Sequence, residues 1–173
     1  AFKDAVSPSD FVKSGRLTAS SNEDSAWNSR LGFGHTRAPT HGRVCAENAH
    51  PFEHNGIVYA HNGVVINHAE FGNYEVDSQA LGKLIEQRRI GDAYGSVGLV
   101  WFTPDGQLHC YRASQSLSSM TYRFGKDHLT LVASRESMIP EWLKTAADCH
   151  VINQLDDGTA YRVVDNGIEF AFH

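Results

Sequence analysis

From Gly95 to the last residue, almost every apolar run is cut by a tight-turn signal, and that spacing restricts the chain to antiparallel sheet. SVGLVWFT (96–103) and LHCYRAS (108–114) flank a Pro-Asp-Gly turn at 104–107 and are expected to pair as a hairpin. MTYRFG (120–125) and LTLVAS (129–134) form a second hairpin around GKDH. HVINQL, TAYRVV and IEFAFH are three final strands joined by DDG and DNG turns. Residues 137–147 form a short helix with Pro140 near its start.

The first half carries fewer strands. SPSDFVKSG predicts a short helix capped by Ser7 or Ser9 and ended by Gly15. Residues 30–36 alternate enough for a strand, and GIVYAH from Gly56 is the next. Residues 77–90 are the clearest helix, with Ala80, Leu81, Leu84 and Ile85 on one face. The 173 residues show no repeat or linker, so one α+β domain is the expectation, with its elements packed in layers.

The formal net charge of -5 comes without a run of like charge, which argues against a nucleic-acid partner. No apolar run approaches the roughly 20 residues that span a bilayer, and no signal peptide is visible. Cys45, Cys110 and Cys149 have no paired spacing and read as free thiols of a reducing compartment. Cytoplasm, or a particle assembled there, is the expected location. No nucleotide, metal or organic cofactor is implied. Six of the ten histidines lie between His35 and His68, but they form neither an HExxH helix nor a CxxC pair.

Residues 32–65 gather Arg37, Thr40, His41, Asn48, His50, Asn62 and Gly63 between two apolar runs. Each has a plain explanation when taken alone. Arg37 is a surface ion-pair residue, and Asp77 sits where a helix N-cap belongs. Asn62-Gly63 is a strong hairpin-turn dipeptide. Cys45 has no positioned base nearby in sequence, so it is not taken as a nucleophile.

The order changes that reading. GHTRAPTHG, ENAHP, HNGVVINH and a VDSQ helix start follow one another from residue 34 to residue 79. This succession resembles the class II glutamine amidotransferases, which belong to the N-terminal nucleophile hydrolases. The resemblance covers residues 31–90 well. It continues more weakly through 96–114 and 132–137.

It implies a four-layer sandwich of two antiparallel sheets flanked by helices, with the first strands missing from this chain. It also implies hydrolysis of the glutamine side-chain amide to glutamate and ammonia. Asn62 and Gly63 would form the oxyanion hole. Arg37 would grip the substrate carboxylate with a two-pronged fork, and Asp77 would pair with its ammonium. Thr40 and His41 would line a loop closing over glutamine, with His50 and Asn48 supporting it. The family often has Trp-Ala where this chain has Ala38-Pro39, so the aromatic residue of that loop is replaced.

Members of the resembled family begin with the cysteine that attacks the amide, its own α-amino group serving as base. Residue 1 here is alanine. Three expectations follow. A cysteine-bearing segment with the first strands lies outside these residues; or the chain is a natural fragment completed by strands from elsewhere; or it is a degenerate member. The ammonia acceptor would be a separate synthase partner or a larger assembly. A non-catalytic use of the same fold, in a virus particle or another multiprotein complex, is the alternative. A third reading is an amidase acting on a different amide.

Overall fold

The computed structural model describes residues 3–13, 30–36 and 42–173. The first helix, α1 (Pro8–Lys13), starts as its sequence predicts. Ser7 Oγ accepts the Asp10 N–H at 3.2 Å and donates to the Asp10 carboxylate at 2.6 Å. The predicted stop at Gly15 lies outside the described residues.

Nine strands follow among the described residues. The large sheet holds β1 (Phe52–His54), β2 (Ile57–Val65), β3 (Gly95–Phe102), β4 (Leu108–Ala113), β8 (Thr159–Val164) and β9 (Gly167–Phe172) in that order, all antiparallel. The small sheet holds β6 (Asp127–Ala133), β5 (Ser118–Phe124) and β7 (Cys149–Gln154), also antiparallel. Two helices complete the framework: α2 (Ala80–Glu86) and α3 (Glu141–Ala146).

Strand alternation sorts the side chains into three apolar layers. Val97, Leu99 and Trp101 of β3 join Tyr59, Val65 and Tyr111 on one face of the large sheet. Leu81, Leu84 and Ile85 of α2 close that face. The intervening residues Val100 and Phe102 face the other way, with Leu108, Cys110, Val163 and, from the small sheet, Val132. Met120 and Tyr122 of β5 cover the outer face of the small sheet and meet Leu143 of α3. The order is therefore helix, six-stranded sheet, three-stranded sheet, helix. Burial pushes the Cys110 thiol up to about 12, which leaves it an inert core residue.

The two expected hairpins form, as β3–β4 and β5–β6. Other expectations need correction. Residues 30–36 are not a strand, because Gly32 and Gly34 supply no side chain to pack and open space lies where a Cβ would stand at both positions. That segment is held by rings instead: Phe33 stacks on Phe102 at 5.5 Å, and His35 lies 4.1 Å from His50. The helix expected over 77–90 is broken. A 3-10 turn at Asp77–Gln79 leads into α2, and Arg88 ends it at a φ of 55°.

The last three strands are not one meander. β7 joins the small sheet, whereas β8 and β9 join the large one. Leu155 plugs the space between the sheets at 2% exposure, and its N–H bonds the Leu117 carbonyl at 3.1 Å. The Arg112 guanidinium bonds the Leu155 carbonyl at 2.6 Å and pairs with Asp157 at 3.3 Å. These contacts turn the DDG segment into a crossover. No described helix is long and apolar enough to cross a membrane.

Candidate functional site

The tripeptide His-Asn-Gly occurs twice within ten residues and does two different things. At His54–Gly56 it turns: Asn55 and Gly56 have φ values of 48° and 79°, and His54 faces Ile57 across a two-residue hairpin. At His61–Gly63 it runs straight through β2. Asn62 lies opposite Gly98 and Gly63 opposite Val97. The reading of Asn62-Gly63 as a hairpin turn is therefore wrong. Pairing with β3 from Val58 to Val65 overrides the local turn preference.

The hairpin fixes which way each backbone group points. In a two-residue hairpin the closing pair exchanges hydrogen bonds, so Ile57 and every second residue after it face the β1 side. Gly63 and Val65 share that parity. β1 pairs only as far as Phe52 opposite Tyr59, so the N–H groups of Gly63 and Val65 project beyond its end. The Asp77 carboxylate accepts the Val65 N–H at 2.7 Å.

Gly63 is required by its surroundings. Its φ is 140°, a region that side-chain-bearing residues avoid. A Cβ there would stand 1.9 Å from the Ser96 carbonyl oxygen. Asn62 is exposed on the opposite face of the strand from His61.

Asp77 is 2% exposed and is not the N-cap of the turn it opens. The N-cap position belongs to Val76, whose N–H is bonded by the Gln79 side chain at 3.2 Å. The Asp77 carboxylate reaches across twelve residues to β2 instead. That ties the start of α2 to the strand that carries Asn62 and Gly63.

The loop of 42–50 comes to the same place from the other side. A Cβ on Gly42 would stand 2.9 Å from the Val76 side chain and 3.0 Å from the Glu75 carbonyl. The Glu75 carboxylate accepts from the Arg43 backbone at 3.0 Å and from its guanidinium at 3.1 Å. These bonds, the Arg43 N–H first, hold the Glu75 carboxyl far below its ordinary range, at about 2. Asn48, 2% exposed, bonds the Arg43 carbonyl at 3.1 Å. His50 is buried and edge-on to Phe52, with ring centroids 4.7 Å apart. Lys3 fastens the same loop by bonding the Glu47 carbonyl at 3.2 Å.

Asn62, Gly63 and Asp77 are thus brought to the end of β2, and the Gly42–Asn48 loop is pinned against the residues just before Asp77. Arg37, Thr40 and His41 lie outside the described residues. A groove of about 160 Å³ lined by Lys3, Pro51, Phe52, Glu53 and Val58 sits by β1 and the start of β2, far along the strand from Gly63.

Three supporting residues escaped the sequence reading. Glu75 and Arg43 anchor the loop, and nothing in their local pattern pairs them across 32 positions. His61 faces the core, as its parity with Ile57, Tyr59 and Val65 in β2 would have shown. His54 bonds Glu86, and His68 lies 2.9 Å from the Val65 carbonyl. Among the described residues no three His, Cys, Asp or Glu are placed to hold a metal ion.

No protein-family model matches the chain, and a search of curated proteins finds no match.

Proposed function

We propose that this chain carries the glutamine-binding side of a class II amidotransferase site, which hydrolyses the glutamine side-chain amide to glutamate and ammonia. The reading rests on one observation. Asn62, a strand glycine that tolerates no Cβ, and a buried aspartate fifteen residues from Asn62 meet at one strand end, beside a loop that follows the GHTRAPTHG motif. Asn62-Gly63 runs straight through β2, so a hairpin turn does not account for this dipeptide.

In the proposed reaction a cysteine from outside residues 1–173 attacks the amide carbon of glutamine. The oxyanion of the tetrahedral intermediate is held by the Asn62 side-chain amide and the Gly63 N–H. Removing one such donor typically lowers turnover by roughly a hundredfold or more. The C–N bond breaks, ammonia leaves with a proton from the cysteine's ammonium, and water hydrolyses the glutamyl thioester. Arg37 and Asp77 select the free α-carboxylate and α-ammonium, with Thr40, His41 and His50 shaping the loop over the substrate. Ammonia passes to an acceptor on a partner.

The test is turnover by the intact protein of free L-glutamine against N-acetylglutamine. Hydrolysis of the free amino acid alone, abolished in Arg37→Ala and reduced about a hundredfold in Asn62→Ala, is the expected result. Equal turnover of both substrates, indifferent to Arg37→Ala, points to an amidase of other specificity. Absence of any turnover with an N-terminal cysteine present points to the non-catalytic module.

A further inference from the structure

A buried polar bridge lies directly behind Gly63, and no step of the proposed reaction uses it. His61 is 2% exposed and Ser78 is 4% exposed. The His61 Nδ1 lies 2.8 Å from Ser78 Oγ, and its Nε2 lies 3.3 Å from the Ser96 carbonyl oxygen. A carbonyl only accepts, so Nε2 carries the proton. Nδ1 is then a bare acceptor, and the Ser78 hydroxyl donates to it. This arrangement uses both ring nitrogens of a neutral imidazole. Burial lowers the His61 pKa, against the opposing pulls of the Ser96 carbonyl and the Asp77 carboxylate.

The same two groups define the space at Gly63. The Ser96 carbonyl stands 1.9 Å, and the His61 Nε2 3.0 Å, from the point where a Cβ would be. The next two residues are tied as well: Val64 N–H to Ser96 Oγ at 3.2 Å and Val65 N–H to Asp77 at 2.7 Å. The backbone that must aim the Gly63 N–H is therefore held from β3 and from the turn that opens α2, and the His61 ring touches both.

We propose that His61 is the positioning residue of the Asn62–Gly63 donor pair: by bridging Ser78 to the Ser96 carbonyl it fixes the direction of the Gly63 N–H. The catalytic half of this proposal rests on the glutaminase reading; the geometric half does not. The ring adds a direct polar link between β3 and the turn at Asp77–Gln79, behind the glycine whose N–H must be aimed. A donor shifted by a fraction of an ångström loses much of its value to an oxyanion.

The experiment uses the intact protein and three variants. His61→Gln keeps an N–H that reaches Ser96, His61→Asn keeps only a group near Ser78, and His61→Phe keeps neither. For glutamine hydrolysis, kcat is expected to fall about tenfold to a hundredfold in His61→Phe and His61→Asn, with KM little changed, and to recover in large part in His61→Gln. Unchanged kcat in His61→Phe, or an equal fall in all three, overturns the proposal.

Nitrogen-15 spectra of the ring and of the Gly63 amide supply a readout without turnover. The unmodified protein at pH 7 is expected to show a protonated Nε2 and an unprotonated Nδ1. The Gly63 amide is expected to shift in His61→Phe and to stay near its original position in His61→Gln. An Nδ1-protonated or doubly protonated ring, or an unmoved Gly63 amide in His61→Phe, contradicts the proposal. If the intact protein turns over no glutamine, the glutaminase reading fails and these spectra alone decide the geometric half. If His61→Phe does not fold, the ring spectrum and His61→Gln decide it.

Discussion

At the scale of single residues, Gly63 and Asp77 do the most to shape the strand end. A methyl group at position 63 has no place to go, since the Ser96 carbonyl already occupies it. Gly63→Ala is expected to destabilise the fold by more than ~1 kcal/mol through backbone strain alone, seen as a lower urea midpoint; an unchanged midpoint would contradict the strand geometry. Asp77 is a second case. Asp77→Ala strands the Val65 N–H inside the protein, which costs about 1–3 kcal/mol. Asp77→Asn keeps an acceptor oxygen and should recover most of that loss. If both variants unfold at the same denaturant concentration, the bond to Val65 is not what Asp77 contributes. The GHTR, ENAHP and HNG motifs made the candidates legible. Their sequence did not show that Asn62-Gly63 runs straight while Asn55-Gly56 turns, because a turn dipeptide states only a local preference and the β3 partner lies about 35 positions away.

At the scale of elements, the loop of 42–50 depends on a charge. The depressed Glu75 carboxyl contributes stability above its ordinary value of 4.5, and that contribution is lost as pH falls toward about 2. The carboxylate is exposed, so salt should weaken the effect. Hydrogen exchange at the Arg43 amide should therefore speed up, relative to its intrinsic rate, between those pH values. Glu75→Gln should remove most of that pH dependence. A wild-type profile that matches Glu75→Gln would mean the clamp does not hold the loop in solution. Hairpins at β3–β4 and β5–β6 were readable from PDGQ and GKDH because each turn joins strands that pair directly. The DDG segment misled for the opposite reason. Its fate is set by Leu155 filling the gap between sheets and by Arg112 bonding its carbonyl, contacts made over 38 and 43 positions. The early end of α2 at Arg88 follows from its backbone leaving the helical region, which apolar spacing does not report.

At the scale of the whole molecule, two antiparallel sheets lie between helical layers, and Asn62, Gly63 and Asp77 gather where β2 outruns β1. That edge is where a further strand would find N–H and C=O groups to pair with, and a nucleophile carried on such a strand would arrive beside Gly63. The large sheet's layering was readable from alternation in β3 and β4, whose odd and even residues separate cleanly into two cores. The chemistry is a harder inference, because in the proposed reaction Arg37, Thr40 and His41 would act together with a cysteine from outside residues 1–173. The most direct measurement combines intact mass with product analysis on the protein as its source makes it. The account predicts a polypeptide led by cysteine that releases glutamate and ammonia in equal amounts from L-glutamine. A protein without that cysteine, or one that has it and leaves glutamine untouched, would contradict the account.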